Sequence, residues 1–124
     1  MASGGALARI MLALKNVLAE MDRVPTLIFD EVDTGVSGRA AQKVAQKLRS
    51  VSENKQVLCV THLPQLAAMA QTHLLLAKEA RGGRAYTTVP PLDLEGRKQE
   101  LARIIGGANI TDITLQSAEE MLRG

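Results

Sequence analysis

The stretch Thr26-Leu27-Ile28-Phe29-Asp30-Glu31-Val32-Asp33 decides the fold. Four apolar or β-prone residues run directly into two adjacent carboxylates. The run from Thr26 to Phe29 does not alternate polar with apolar, so it predicts a strand buried on both faces, as in a parallel sheet. A rigid strand end can hold one carboxylate against a metal-bound water, while its neighbour, pointing elsewhere, polarises an attacking water. Taken alone, Asp30-Glu31 also fits two solvated acids in a strand-to-loop turn.

Working outward, two further pieces have a similar character. Upstream, Ser3-Gly4-Gly5 precedes a helix, with Ser3 suited to the N-cap. Glycines let a phosphate approach the backbone, and a helix N-terminus supplies free N–H donors; an ordinary helix cap fits the same residues. Downstream, Val57-Leu58-Cys59-Val60-Thr61-His62 is a second apolar strand ending in a histidine. At that end His62 could donate a hydrogen bond to a phosphate oxygen, or be simply a surface histidine. His73 opens a strand and reads as structural. The gaps from Ser3 to Asp30 and from Glu31 to His62 each fit one helix plus one strand. Both strand ends can then meet on one edge of a parallel sheet.

Helical spacing of Leu7, Ile10, Met11, Leu14, Val17, Leu18 and Met21 predicts an upstream helix with one buried face. Met11, Met21 and Met69 sit at core spacing. After a loop with Gly35 and Gly38, and Ser37 as cap, a second helix turns Ala41, Val44, Ala45, Leu48 and Val51 inward. Ser52 to Lys55 turns the chain into the strand from Gln56 to Thr61. Pro64 to Ala70 reads as a short helix with proline in its first turn. His73 to Ala77 reads as a third strand, Arg81 to Arg84 as a turn, and Ala85 to Val89 as a hairpin return. Helices follow over Glu95 to Ile105 and, capped by Thr111, to about Leu122. The alternation of helix and strand predicts an α/β layer.

Composition narrows the function classes. The 124 residues make one domain or part of one. Aromatics are only Phe29 and Tyr86, so the chain lacks the stacking platform of single-strand binders. The net charge of +2 is too small to indicate nucleic acid by itself. Arg39, Lys43 and Lys47 recur along the second helix and read as a solvated face. The single cysteine, Cys59, excludes an internal disulfide and reads as a small buried hydrophobe. No apolar run is long enough to span a membrane, and Gly4-Gly5 and Arg9 interrupt any secretory signal. The expected location is the cytoplasm.

The motifs together resemble the C-terminal part of the ATPase head of the RecN family, bacterial double-strand-break repair proteins related to the structural-maintenance-of-chromosomes (SMC) proteins. The residues carrying the resemblance are Ala2 to Gly5 with Arg9 to Lys15, Phe29 to Gly38, Thr61 to Ala67, and Leu101 to Arg103 with Gly106-Gly107. The resemblance implies a partial P-loop NTPase fold of the ABC type: a short parallel sheet flanked by helices, with further C-terminal helices, all 124 residues forming one lobe of the head. It makes Ser3, Gly4 and Gly5 the signature loop facing the γ-phosphate of ATP on the opposite head. Asp30 becomes the Mg²⁺-supporting acid, Glu31 the general base or water-orienting residue, and His62 the γ-phosphate-sensing histidine. Asp33 to Ser37 becomes the loop at the head–head interface. Ala6 and Ala8 stand where the family usually carries Glu and Ser.

No Gly-Lys dipeptide occurs, so no P-loop lysine cradles phosphate in this chain. ATP and Mg²⁺ are therefore expected only in a complete head assembly, and the chain alone is expected to be inactive. The implied partners are an N-terminal lobe carrying the P-loop, a second head in a homodimer, and DNA through the longer protein, with no membrane. Without that lobe, the apolar face of the first helix is expected to be exposed and prone to association. Two other readings compete. One is the nucleotide-binding lobe of an ABC transporter, against which Val32-Asp33-Thr34-Gly35 argues. The other is a non-catalytic module docking on a partner head.

Overall fold

The computed structural model describes residues 4–19 and 21–124; Ser3 and its expected cap lie outside the described residues. The chain divides into two compact units, Met1–Met69 and Ala70–Gly124.

The first unit carries helix α1 (Gly4–Val17), strand β1 (Thr26–Asp30), helix α2 (Gly38–Ser52), strand β2 (Gln56–Val60) and helix α3 (Pro64–Met69). β1 and β2 pair in parallel, Thr26 opposite Gln56 and Asp30 opposite Val60. The intervening helix makes this a βαβ crossover, which parallel neighbours require. α2 buries Ala41, Ala45, Leu48 and Val51 at helical spacing. They meet Leu27 and Phe29 of β1, Leu12 of α1, Leu66 of α3 and Val32 in one apolar cluster. Ser37 occupies the N-cap position in extended conformation, but its side chain makes no capping hydrogen bond.

Two expectations fail here. β1 alternates: Leu27 and Phe29 are buried while Ile28 is 71% exposed. Leu58, opposite Ile28, and Val60 are exposed as well. One face of the two-stranded sheet is covered and the other is bare. The one buried face that helical spacing predicts for α1 is not buried either, whereas the exposure of that face expected from the resemblance is found. Leu7, Ile10, Met11, Leu14 and Val17 are exposed, as are Leu18 and Met21 just beyond the helix. Only Gly5 and Leu12 of α1 are buried. Of the three methionines expected in the core, Met69 packs against it, and Met11 and Met21 do not. Periodicity identifies an apolar face; it does not supply the surface that covers it.

Lys55 ties the turns together. Its side chain is nearly buried, and its ammonium donates to the backbone carbonyls of Asp22 and Val24. Lys15 pairs with the Asp22 carboxylate. That contact, with the Val24 N–H, holds the Asp22 carboxyl below the usual range.

The second unit carries a hairpin and a helix pair. β3 (Ala77–Arg81) and β4 (Arg84–Thr88) are antiparallel. Gly82 and Gly83 form the two-residue turn, both at positive φ (56° and 77°). Positive φ at both central residues is what a type I′ hairpin turn demands. The third strand expected over His73 to Ala77 therefore begins only at Ala77. It joins a separate two-stranded sheet, not the parallel layer. Leu74 makes only an isolated bridge to Pro91. α4 (Leu94–Gly106) starts on the Asp93 side chain, which accepts from the Gly96 N–H at 2.7 Å. α5 (Asp112–Arg123) starts on a capping box between Thr111 and Thr114. Leu101 and Ala102 of α4 are fully buried, as is Ala118 of α5.

Candidate functional site

The parallel register brings the C-terminal ends of β1 and β2 to one edge, since Asp30 lies opposite Val60. His62 follows two residues beyond that pair. Asp30 closes β1 and is exposed. Glu31 adopts a left-handed backbone, φ 64°, among the non-glycine residues described. That conformation is costly for a residue with a Cβ and persists only where its surroundings impose it. The constraint comes from the next residue: Val32 is wholly buried in the core cluster. The chain thus leaves β1 in a sharp turn, with Glu31 exposed and Val32 as anchor.

The turn is clamped from the α1 side. The Arg9 guanidinium donates from Nη1 to the Val32 carbonyl at 3.2 Å and to the Thr34 carbonyl at 2.6 Å. Gly5 is buried, and a Cβ there would lie 2.8 Å from the Glu31 carbonyl oxygen and 2.8 Å from Thr34 Cβ. The helix can rest on the loop only because Gly5 lacks a side chain. Gly4 is exposed; a Cβ there would meet only the far end of Glu31, Oε2 at 2.6 Å.

Asp33 clamps the other side. Its carboxylate is 4% exposed. Oδ2 accepts from Thr61 Oγ1 at 2.5 Å and from the His62 N–H at 3.3 Å. His62 Nδ1 lies 3.4 Å from the same oxygen, and the His62 side chain as a whole is 81% exposed. Thr61 Oγ1 also accepts from the Leu63 N–H at 3.1 Å. The loop after β1 is therefore stitched to the end of β2. Of the residues singled out in the sequence, Glu31 meets Gly4 and Gly5, and Asp33 meets His62. Arg9, which clamps the loop, was missed as a site residue; only its place one turn into a glycine-led helix could have pointed to it.

Cys59 lies beneath this edge. Its thiol is pushed up to about 11, first by burial and then by the charges of Asp33 and Asp30, so it stays protonated and inert. Among the described residues no cluster of three or more histidine, cysteine or acidic side chains is arranged to hold a metal.

The fold of the chain has a counterpart among solved structures. It superposes on a solved chain described as "Structural biochemistry of ATP-driven dimerization and DNA stimulated activation of SMC ATPases", with a TM-score of 0.58 and 22% identity. The match covers 87% of this chain and 65% of that one. No protein-family model matches the chain.

Sequence comparison is more specific. The chain is 52% identical over 122 residues to "DNA repair protein RecN" of Bacillus subtilis, covering 98% of the chain and 21% of that protein. RecN of Halalkalibacterium halodurans is also 52% identical, over 121 residues, and RecN of Vibrio cholerae 48% over 121. The chain is thus homologous to the C-terminal part of RecN proteins. It spans about a fifth of their length.

Proposed function

We propose that this chain forms the C-terminal part of a RecN-type ATPase head in DNA double-strand-break repair. It would supply the signature, acid-pair and histidine elements to an ATP-dependent head dimer. One observation carries the reading: a single clamped loop places Glu31 against the glycine-led helix and Asp33 against His62. In an SMC-type head the acid pair and histidine would serve that head's own nucleotide, and the glycine-led helix the nucleotide on the opposite head.

In that assembly the start of α1, with Ser3, Gly4 and Gly5, presents backbone N–H groups to the γ-phosphate of ATP on the opposite head. Asp30 supports the Mg²⁺ that neutralises phosphate charge. Glu31, held by its left-handed backbone, orients the attacking water. His62 projects its exposed ring edge toward the phosphate. Asp33 holds the end of β2. The bare face of β1 and β2 and the stripe on α1 would be covered by the lobe carrying the P-loop. The homodimeric head partner, contact with DNA through the longer protein and a cytoplasmic location belong to the same reading. Among the described residues no helix is long and apolar enough to cross a membrane.

This chain holds no phosphate-cradling lysine, so purified chain should release phosphate from ATP no faster than buffer does. Turnover abolished by Glu31→Gln would overturn the partial-head reading, because it would require a complete nucleotide site within these residues.

A further inference from the structure

We propose that Asp33 is a positioning residue for His62. Its buried carboxylate keeps the neutral imidazole in the tautomer protonated at Nδ1, leaving Nε2 open to solvent as an acceptor.

The geometry restricts both partners. Asp33 cannot swing away: Val32 before it is buried, and Arg9 holds the carbonyls of Val32 and Thr34 on either side. His62 cannot drift as a backbone unit, because its own N–H donates to Asp33 and the Thr61 hydroxyl bridges Asp33 and the Leu63 N–H. Among the described residues, the one close charged contact of the imidazole is Asp33 Oδ2, 3.4 Å from Nδ1. An unprotonated Nδ1 would turn its lone pair toward that oxygen. A protonated Nδ1 instead places positive charge at that distance, which the carboxylate favours, and the group on one ring nitrogen sets the role of the other. An exposed histidine in water prefers the opposite tautomer, protonated at Nε2. The contact with Asp33 should invert that preference.

The proton placement stands on the geometry alone; its consequence rests on the ATPase-head reading. A neutral His62 held this way accepts a hydrogen bond at Nε2 from water or a hydroxyl. It donates to a phosphate oxygen only after taking up a second proton.

The test is nitrogen NMR of the ¹⁵N-labelled chain at a pH above histidine titration, with His73→Gln to assign the two rings. Nδ1–H should be the majority form of His62. Asp33→Asn, which keeps the shape and removes the charge, should return the majority to Nε2–H. A majority of Nε2–H in the wild-type chain would overturn the proposal, as would an unchanged ratio in a folded Asp33→Asn chain. If that variant does not fold, the wild-type ratio alone decides. No nucleotide is involved, so either result leaves the ATPase-head reading to its own experiment.

Discussion

At the scale of single residues, the two glycines that open α1 do different work. Gly5 sits where a Cβ would strike the backbone of Glu31 and the side chain of Thr34, neither of which can retreat while Arg9 and Val32 hold the loop. Gly5→Ala should destabilise the chain by about 1–3 kcal/mol, the usual cost of overpacking. Gly4→Ala should cost far less, because the only atom in its way is the tip of a flexible glutamate side chain. Thermal melts of the two variants would separate them; equal losses would refute the packing role of Gly5. His73 offers a second residue-scale outcome. Burial, then the nearby Arg97 charge, push its imidazole below the ordinary histidine value, with Glu100 opposing. Its Nδ1 is buried without a hydrogen-bond partner among the described residues. As pH falls, the unfolded chain takes up this proton before the folded chain does. The His73 contribution is therefore full above the ordinary histidine range and is lost as pH falls toward the folded value. Melting temperature should drop from about pH 7 to about pH 5, and His73→Gln should flatten part of that slope. An identical slope in the variant would remove His73 from the account.

At the scale of elements, the sequence was most legible where periodicity and punctuation agreed. α2, with Ala41, Ala45, Leu48 and Val51 inward, and α5, opened by Thr111, lie where their patterns place them. The strand ends were legible to within one residue, Phe29 expected against Asp30 found and Thr61 against Val60, because an apolar run stops abruptly at each. Leu74-Leu75-Leu76 misled, because an apolar run suggests a strand whether or not a partner lies beside it. The actual strand β3, Ala-Lys-Glu-Ala-Arg, is polar and exposed and is specified by its Gly-Gly turn. The clamps made by Arg9 and Lys55 were illegible for a different reason. Each is a side chain bonded to distant backbone carbonyls, and no spacing rule encodes that. The bare sheet face gives a direct outcome. Ile28 and Val60 expose apolar area that a sheet normally covers. The chain should self-associate with rising concentration, and the pair Ile28→Thr, Val60→Thr should reduce this while retaining the strands. Sedimentation velocity would show it. A chain monomeric at all concentrations would mean that this face needs no cover.

At the scale of the whole molecule, homology to RecN reaches almost every residue of the chain yet only about a fifth of the relatives. Under the proposed function, the bare apolar faces of the first unit would be covered by the lobe carrying the P-loop. The most direct measurement replaces the matching segment of Bacillus subtilis RecN with this chain, then follows ATP hydrolysis and ATP-driven association together. The chimera should hydrolyse ATP. Glu31→Gln should slow hydrolysis at least 100-fold, within the ~10²–10⁴-fold typical of a positioned base, and leave ATP-driven association intact. A folded chimera in which Glu31→Gln abolishes association but spares hydrolysis would contradict the account.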